Sequence, residues 1–479
     1  MRINKKLIIF LLVFCISIGF AYLSANLNIN GTYLFKKSTW SIYFDNVELD
    51  TEKSFYGATV PTINSEKDTV SFGCQFDLPG DVYKFSVDVI NDGTINAQVD
   101  TVVISDLTEE QEKLLNVSVK YIDGLDVKSG DVLLAGSRTT YIITAEYNED
   151  IELEDLPTTT STFNVDVTVS YKNKKSSEIT TATFVSGSDF EDAVYNIAGV
   201  LTEDSMVSTV RSFKRSNTLD NMNNIVSTDD SDSQIYIWFV EDNELQDGTG
   251  ILYWYCDANV IYFNEDCSSM FSNGMERSFY SLLTDLSCFS NINTINVTDM
   301  SDMFWFCPRI EDLDFIKNWD VSNVTNMKEM FGFCDDLSDI SALSNWDVSK
   351  VTDIEAMFSG CPLVDLSPIA NWDVSNVINM EKMFLYCSSL GDISSISDWN
   401  VSNVENMSYM FSNCKSLSDL NSLSRWDVSK VTMMVEMFNR CSSLVDASGI
   451  NNWGTKLNAN LDYHGMFDST TMTKPSWYV

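Results

Sequence analysis

The chain has 479 residues, 44% of them hydrophobic, with 69 Asp and Glu against 30 Lys and Arg, for a formal charge of -39. That length exceeds one ordinary core, so two or three domains are expected. A field of that sign argues against nucleic acid and anionic lipid headgroups as partners and leaves cationic groups, calcium or plain solubility open.

Arg2, Lys5 and Lys6 precede an uncharged apolar run from Leu7 to Leu23 that ends near Ser24 and Ala25. This is the order of a secretory signal, so residues 1–25 are read as a signal peptide, with an uncleaved membrane anchor as the alternative. Cys15 is apolar filler within it.

Over 26–172 hydrophobicity alternates with period two. Tyr83, Phe85, Val87 and Val89 fall on one side, Lys84, Ser86 and Asp88 on the other. Asn91-Asp92-Gly93 tolerates positive φ, and alternation resumes at Ile95, Ala97 and Val99, which predicts a hairpin. Similar runs at 40–44, 117–121, 140–147 and 163–171 predict an all-β sandwich.

Residues 173–234 turn polar and read as a linker. Phe190, Val194, Ile197 and Leu201 fall on one face of a short helix there. It is either a lid on the C-terminal domain or part of the linker.

Over 235–479 one unit recurs: Trp-Asp-Val-Ser-x-Val-x-x-Met-x-x-Met-Phe-x-x-Cys-x-x-Leu. Its tryptophan stands at 319, 346, 372, 399, 426 and 453, and its cysteine at 307, 334, 361, 387, 414 and 441. Val324, Met327, Met330, Phe331 and Cys334 are spaced three, three, one and three apart, which predicts a helix. Ser322 stands where a hydroxyl would cap its start, and Asp320 where negative charge would meet its dipole. Leu337, Ile340 and Leu343 leave room for a short strand before the next tryptophan. Such units bury an apolar face only by stacking, which predicts a solenoid. Met270-Phe271 without a following cysteine, Ile292 in place of tryptophan, and Gly454 in place of aspartate mark its ends.

The repeats resemble the BspA-like leucine-rich repeat family of surface proteins, in its subtype of roughly 26 residues, through Trp-Asp-Val-Ser-x-Val and Met-Phe-x-x-Cys over about 235–467. Phe20-Ala21-Tyr22-Leu23-Ser24 and Phe76-Asp77-Leu78-Pro79-Gly80-Asp81, with residues 89–97, resemble exported camelysin/TasA-like surface proteins. The expected architecture is therefore multidomain: an N-terminal all-β sandwich, then an α/β leucine-rich-repeat-type solenoid with one helix and one short strand per unit of 26–27 residues. The repeat resemblance implies display on a bacterial cell surface, adhesion, and no catalysis. It carries over no ligand.

Chemistry is sparse. Cysteine recurs once per unit without a Cys-x-x-Cys pair, and His464 is the single histidine, so zinc sites and His-dependent triads are not expected. Helical units would hold the repeated cysteines too far apart to bridge, which predicts buried free thiols. Asp320, Asp347, Asp373 and Asp427, with Asn400 in register, either serve their own helix starts or form a calcium-stabilised edge. No catalytic residue, metal site or cofactor is expected.

Phe333, Gly360, Tyr386, Asn413 and Arg440 recur two residues after the Met-Phe phenylalanine, with Lys328, Glu355, Tyr409 and Glu436 nearby. Phe333, Tyr386, Tyr409 and Arg440 are the candidate binding residues, on the expectation that a solenoid keeps core letters and varies exposed ones. The expected partner is an extracellular protein or glycan, bound in adhesion to host or neighbouring cells. The alternative is a structural subunit of a surface layer, pilus or fibre, assembled through the N-terminal β-domain by strand exchange.

Overall fold

The computed structural model describes residues 24–27, 33–36, 38–51, 53–54, 60–74, 76, 78–104, 108–149, 151, 163–198, 209–243, 245, 247–272, 282–470 and 472–479. The basic segment and apolar run of the expected signal or anchor, with Cys15, lie outside them. So do Phe20 to Leu23, Asp77 and Leu201. The chain divides into two compact units, 1–179 and 180–479.

The first unit begins with the antiparallel pair β1 (Ser24–Leu27) and β2 (Tyr33–Lys36). There follow β3 (Ile42–Leu49), β4 (Thr62–Ile63), β5 (Thr69–Cys74), β6 (Val82–Asn91), β7 (Ala97–Ile104), α1 (Glu109–Leu114), β8 (Leu115–Tyr121), β9 (Val132–Leu133), β10 (Arg138–Tyr147) and β11 (Phe163–Asn173). They form two antiparallel sheets, ordered β3-β6-β10-β8 and β4-β5-β11-β7-β9. The alternation on β6 buries Tyr83, Phe85, Val87 and Val89 in one core with Val165, Val167 and Val169 of β11. The hairpin predicted across Asn91-Asp92-Gly93 does not form, because β6 and β7 belong to different sheets. The turn instead carries the chain between sheets. Asn91 donates to the carbonyls of Ile95 and Leu133 and accepts from the Gly93 N–H. A Cβ at Gly93 would lie 2.7 Å from the Thr39 carbonyl oxygen.

The second unit opens with β12 (Thr181–Thr183), α2 (Gly187–Ala198), β13 (Val210–Arg215), β14 (Tyr236–Glu241), β15 (Gly250–Tyr255) and β16 (Val260–Tyr262). The stretch 173–234 thus supplies strands and a helix to this unit: β12 pairs with β16, and β13 with β15. Phe190 of α2 meets Phe184, Phe213 and Phe271, closing the first end of the repeat core with aromatic rings.

The repeats stack, but they contain neither the predicted helix nor the predicted strand. Met327, Glu329, Phe331 and Phe333 donate their N–H groups to Asp353, Glu355, Met357 and Ser359 of the next unit at 2.9, 2.6, 3.0 and 2.6 Å. Met330, Gly332 and Cys334, lying between them, bond to carbonyls only three residues back. An α-helix needs every N–H to reach four residues back. The chain also turns left-handed at Glu329 (φ 54) and Phe333 (φ 58), which no α-helix accommodates. The spacing of Val324, Met327, Met330, Phe331 and Cys334 therefore describes an inward wall of consecutive tight turns. All five side chains are buried. The segment predicted as a strand folds instead as a short 3-10 turn, Ser341–Leu343 in this unit, with equivalents in its neighbours.

The helix-start reading of Ser322 and Asp320 inverts as well. The aspartate caps, and the serine N–H is what it caps: Ser322, Ser349, Ser375 and Ser429 donate to Asp320, Asp347, Asp373 and Asp427, and Ser402 to Asn400. Two further corners of each coil use the same device, as in Ser341 to Asp339 and Glu355 to Asp353. A unit is thus one coil with three side-chain-capped corners, except where Met433 stands at the cap position and the Val435 N–H goes to Ser408 Oγ.

Three ladders run through the core. Phe304, Phe331, Phe358, Phe384, Phe411, Phe438 and Phe467 stack nearly parallel with centroids 5.6 to 6.1 Å apart. Each repeat tryptophan donates its indole N–H to the preceding unit, Trp372 to the Leu343 carbonyl at 3.1 Å and Trp399 to that of Ile369 at 3.1 Å. Each repeat cysteine donates its thiol back to a phenylalanine carbonyl, Cys361 to Phe331 at 3.1 Å and Cys387 to Phe358 at 3.2 Å. At the far end Trp477 donates to the Ile450 carbonyl, and Tyr478 meets Phe467 edge-on. A Cβ at Gly454 would lie 2.7 Å from the Trp477 Cβ, which explains why the last unit lacks its aspartate.

Candidate functional site

With the inward letters consumed by the core, the outer side of the turn wall varies from unit to unit. Two positions there are left-handed in every unit. The first row is Asp302, Glu329, Ala356, Lys382, Tyr409 and Glu436; the second is Phe306, Phe333, Gly360, Tyr386, Asn413 and Arg440. The backbone conformation repeats at both positions regardless of residue type, while exposure varies along the rows: Tyr386 and Arg440 are exposed, and Ala356 and Asn413 are buried.

The four candidate residues occupy both rows. Tyr386 and Arg440 are exposed in the second, where Phe333 is half-buried against Phe306, ring centroids 5.0 Å apart. Tyr409 belongs to the first row and is half-buried. Of the residues named as neighbours, Asn413 is buried, and the Phe333 ring lies over Gly360, where a Cβ would stand 2.7 Å from Phe333 Cδ1. Sequence reasoning missed Trp305, which packs on Phe306 at 4.6 Å and lies over Gly332, and it missed the first row as a row. The signal was faint: among the described residues of the repeat coils, glycine stands at a left-handed position only at 360 and 465.

Charge concentrates beside these rows. The Lys328 ammonium lies 3.1 Å from Glu355 and 3.7 Å from Glu329, and Lys382 lies 3.8 Å from Glu355 and 2.5 Å from Glu381. Desolvation opposes the charge on both lysines but is outweighed by hydrogen bonds to Glu355 and Glu381, so both are held above their usual value. Burial first and the Glu329 charge second push Asp302 up to about 6. Burial likewise raises Glu329, although Lys328 counters it.

Nine described cysteines are free and buried. The distance argument for free thiols fails, since it assumed helices. The operative cause is that each repeat thiol is a hydrogen-bond donor to a buried carbonyl, and burial holds Cys361 and Cys441 up at about 12. His464 is exposed with Nδ1 2.8 Å from Asp462 Oδ1, a partner at a coil corner. The Asp320 row serves its own corners, and among the described residues no group of three or more His, Cys, Asp or Glu could hold a metal ion. None of the described helices is long and apolar enough to cross a membrane.

The second unit is, in class, a repeat protein of stacked coils. A family model described as "Mycoplasma protein of unknown function, DUF285" matches residues 265–387 and 362–477, both within those coils. No curated protein and no solved structure matches the chain.

Proposed function

We propose that this is an exported cell-surface protein of the BspA-like kind, whose stacked repeats bind a protein or glycan on host or neighbouring cells and catalyse nothing. The observation that carries the reading is the division of labour in the coil. Inward positions repeat the same letters, while two backbone-fixed outward rows differ from unit to unit and hold aromatic and charged groups. A rigid wall presenting such groups suits recognition, because little side-chain or loop ordering is needed on binding. The basic-then-apolar opening of the sequence and the family match of the repeats both support surface display.

The test is saturable binding of the labelled full chain to intact cells, matrix proteins and mucins at physiological salt. Binding that saturates supports the reading. A folded chain that binds none of them, yet assembles into higher oligomers as concentration rises, would replace it with the structural role led by the N-terminal sheets.

A further inference from the structure

Asp302 and Glu329 occupy the first outward row in adjacent coils, with the same left-handed backbone at φ 56 and 54. Their side chains leave equivalent points one coil step apart, a step that puts the core rings Phe304 and Phe331 of the same coils 5.6 Å apart. Both are half-buried. The carboxylates around them are engaged. Asp299 accepts from the Ser301 N–H and hydroxyl and from the Asn326 amide. Glu355 meets Lys328 at 3.1 Å and accepts from the Asn379 amide, and Glu329 meets Lys328 at 3.7 Å. Among the described residues the Asp302 carboxyl has neither a hydrogen-bond nor an ion-pair partner.

Two half-buried carboxyls on successive steps do not both ionise in the ordinary range, because burial and a like charge about 4–6 Å away each disfavour the charged form. The other charged groups facing the pair are Asp299 of the Asp302 coil, Lys328 of the next, Glu355 of the third and Lys382 of the fourth. The two ammonium groups favour ionisation, yet both are already engaged by Glu355, at 3.1 and 3.8 Å, and Lys382 also by Glu381 at 2.5 Å. Burial and then the Glu329 charge accordingly hold Asp302 up at about 6. A partner that settles on the row removes water from the pair and penalises its charged form further, so docking draws in a proton. A cationic group would act in reverse, but it would have to sit beside Lys328 and Lys382. The row suits uncharged groups such as hydroxyls and amides, to which a protonated carboxyl donates.

We propose that Asp302 and Glu329 are a proton-operated switch on the binding face: in mild acid they share a proton and accept a neutral, hydrogen-bonding partner surface, and at neutral pH both ionise and weaken its hold. The inference adds a regulation to the proposed function and rests on that reading.

The test is binding of the labelled full chain, at about pH 5 and about pH 7.5 and constant salt, to the cells or matrix protein that it saturates. Beside it runs a potentiometric titration of wild type against Asp302→Asn. Asparagine keeps the shape of Asp302, tolerates its left-handed backbone and imitates its protonated form. Asp398→Asn, at an exposed ion pair outside both rows, reports any titration of the cells or matrix themselves. Wild type and Asp398→Asn should bind about threefold or more tighter at the lower pH, and Asp302→Asn equally at both. The difference titration should show a group near 6. Wild-type binding that is unchanged or weaker in acid overturns the switch. So does a pH dependence kept in full by Asp302→Asn, or a difference titration confined to the ordinary carboxylate range. Those results leave the surface-binding reading standing, whereas no binding at either pH overturns both.

Discussion

Trp372→Phe isolates the bond that ties one coil to the next. Trp372 is buried, and its indole N–H reaches the Leu343 carbonyl of the preceding unit at 3.1 Å. Phenylalanine keeps a ring in place but removes one of the two hydrogen bonds to that carbonyl, which still accepts the Trp346 N–H, at a cost of about 0.5–1.5 kcal/mol. The atoms lost with the indole add about 1–2 kcal/mol of reduced burial and cavity. The comparison is Trp477→Phe at the end of the stack. There the indole is half-buried and already partly solvated, so about 1 kcal/mol or less is expected. Urea unfolding followed by tryptophan fluorescence reads the second unit almost alone, since Trp40 is the single tryptophan of the first. Equal losses for the two variants, or a Trp372→Phe loss under about 0.5 kcal/mol, would refute the inter-coil bond as a source of stability.

Gly454→Asp restores the repeat letter, yet it should destabilise the end of the stack by about 1–3 kcal/mol, because the new Cβ meets Trp477; a gain in melting temperature would contradict the cap. A thiol reagent should leave the repeat cysteines untouched in the native chain and find at least the nine buried thiols after denaturation without reductant; far fewer would mean disulfides. Asp302 titrates near 6 when folded against 3.8 ordinarily, so the folded chain holds a proton the unfolded chain has lost, and the penalty is absent at low pH and complete above the folded value. Asp302→Asn should therefore raise the melting temperature at about pH 7.5 and lose that advantage near about pH 4, whereas an equal gain at both would sink the assignment. Asp347 runs the other way: its bond to Ser349 lowers its pKa, so its contribution is present above the ordinary carboxylate value and is lost as pH falls through the folded one. Asp347→Ala should cost about 0.5–2 kcal/mol at neutral pH and less in acid, where the protonated carboxyl accepts the Ser349 N–H more weakly, read by chemical denaturation at both.

The period, the inward letters and the two atypical ends were legible because burial dictates them: Trp, Val, Met, Phe and Cys recur wherever a side chain must enter the core. The helix was a false inference from true letters. Spacings of three and four also arise when successive turns pack one side chain in three inward, and what decides between the two is where the N–H groups go. Phe331 spends its N–H on Met357 of the next unit, which no single unit reveals. Nor did composition betray the left-handed positions, since Asp302, Lys382, Tyr409 and Arg440 occupy them without glycine. Asp320 followed two residues later by Ser322 was the readable clue to a capped corner, and it recurs at Asp339 and Ser341. The β6–β7 hairpin failed for a related reason, because Asn91-Asp92-Gly93 specifies a turn and not which sheet receives the next strand. Of the candidate residues, chemistry was visible in sequence, whereas membership of one row or the other followed only from the backbone.

The central claim is that the outward rows are the binding surface, and the most direct measurement compares two faces of the same coils. The affinity of the full chain for the cell or matrix surface it saturates would be measured for Tyr386→Ala with Arg440→Ala, and for Asp398→Ala with Arg425→Ala. The latter pair is an exposed ion pair at 2.7 Å outside both rows. The account predicts a loss of about tenfold or more for the first pair and less than about twofold for the second. The reverse pattern, or equal effects from both, would contradict it.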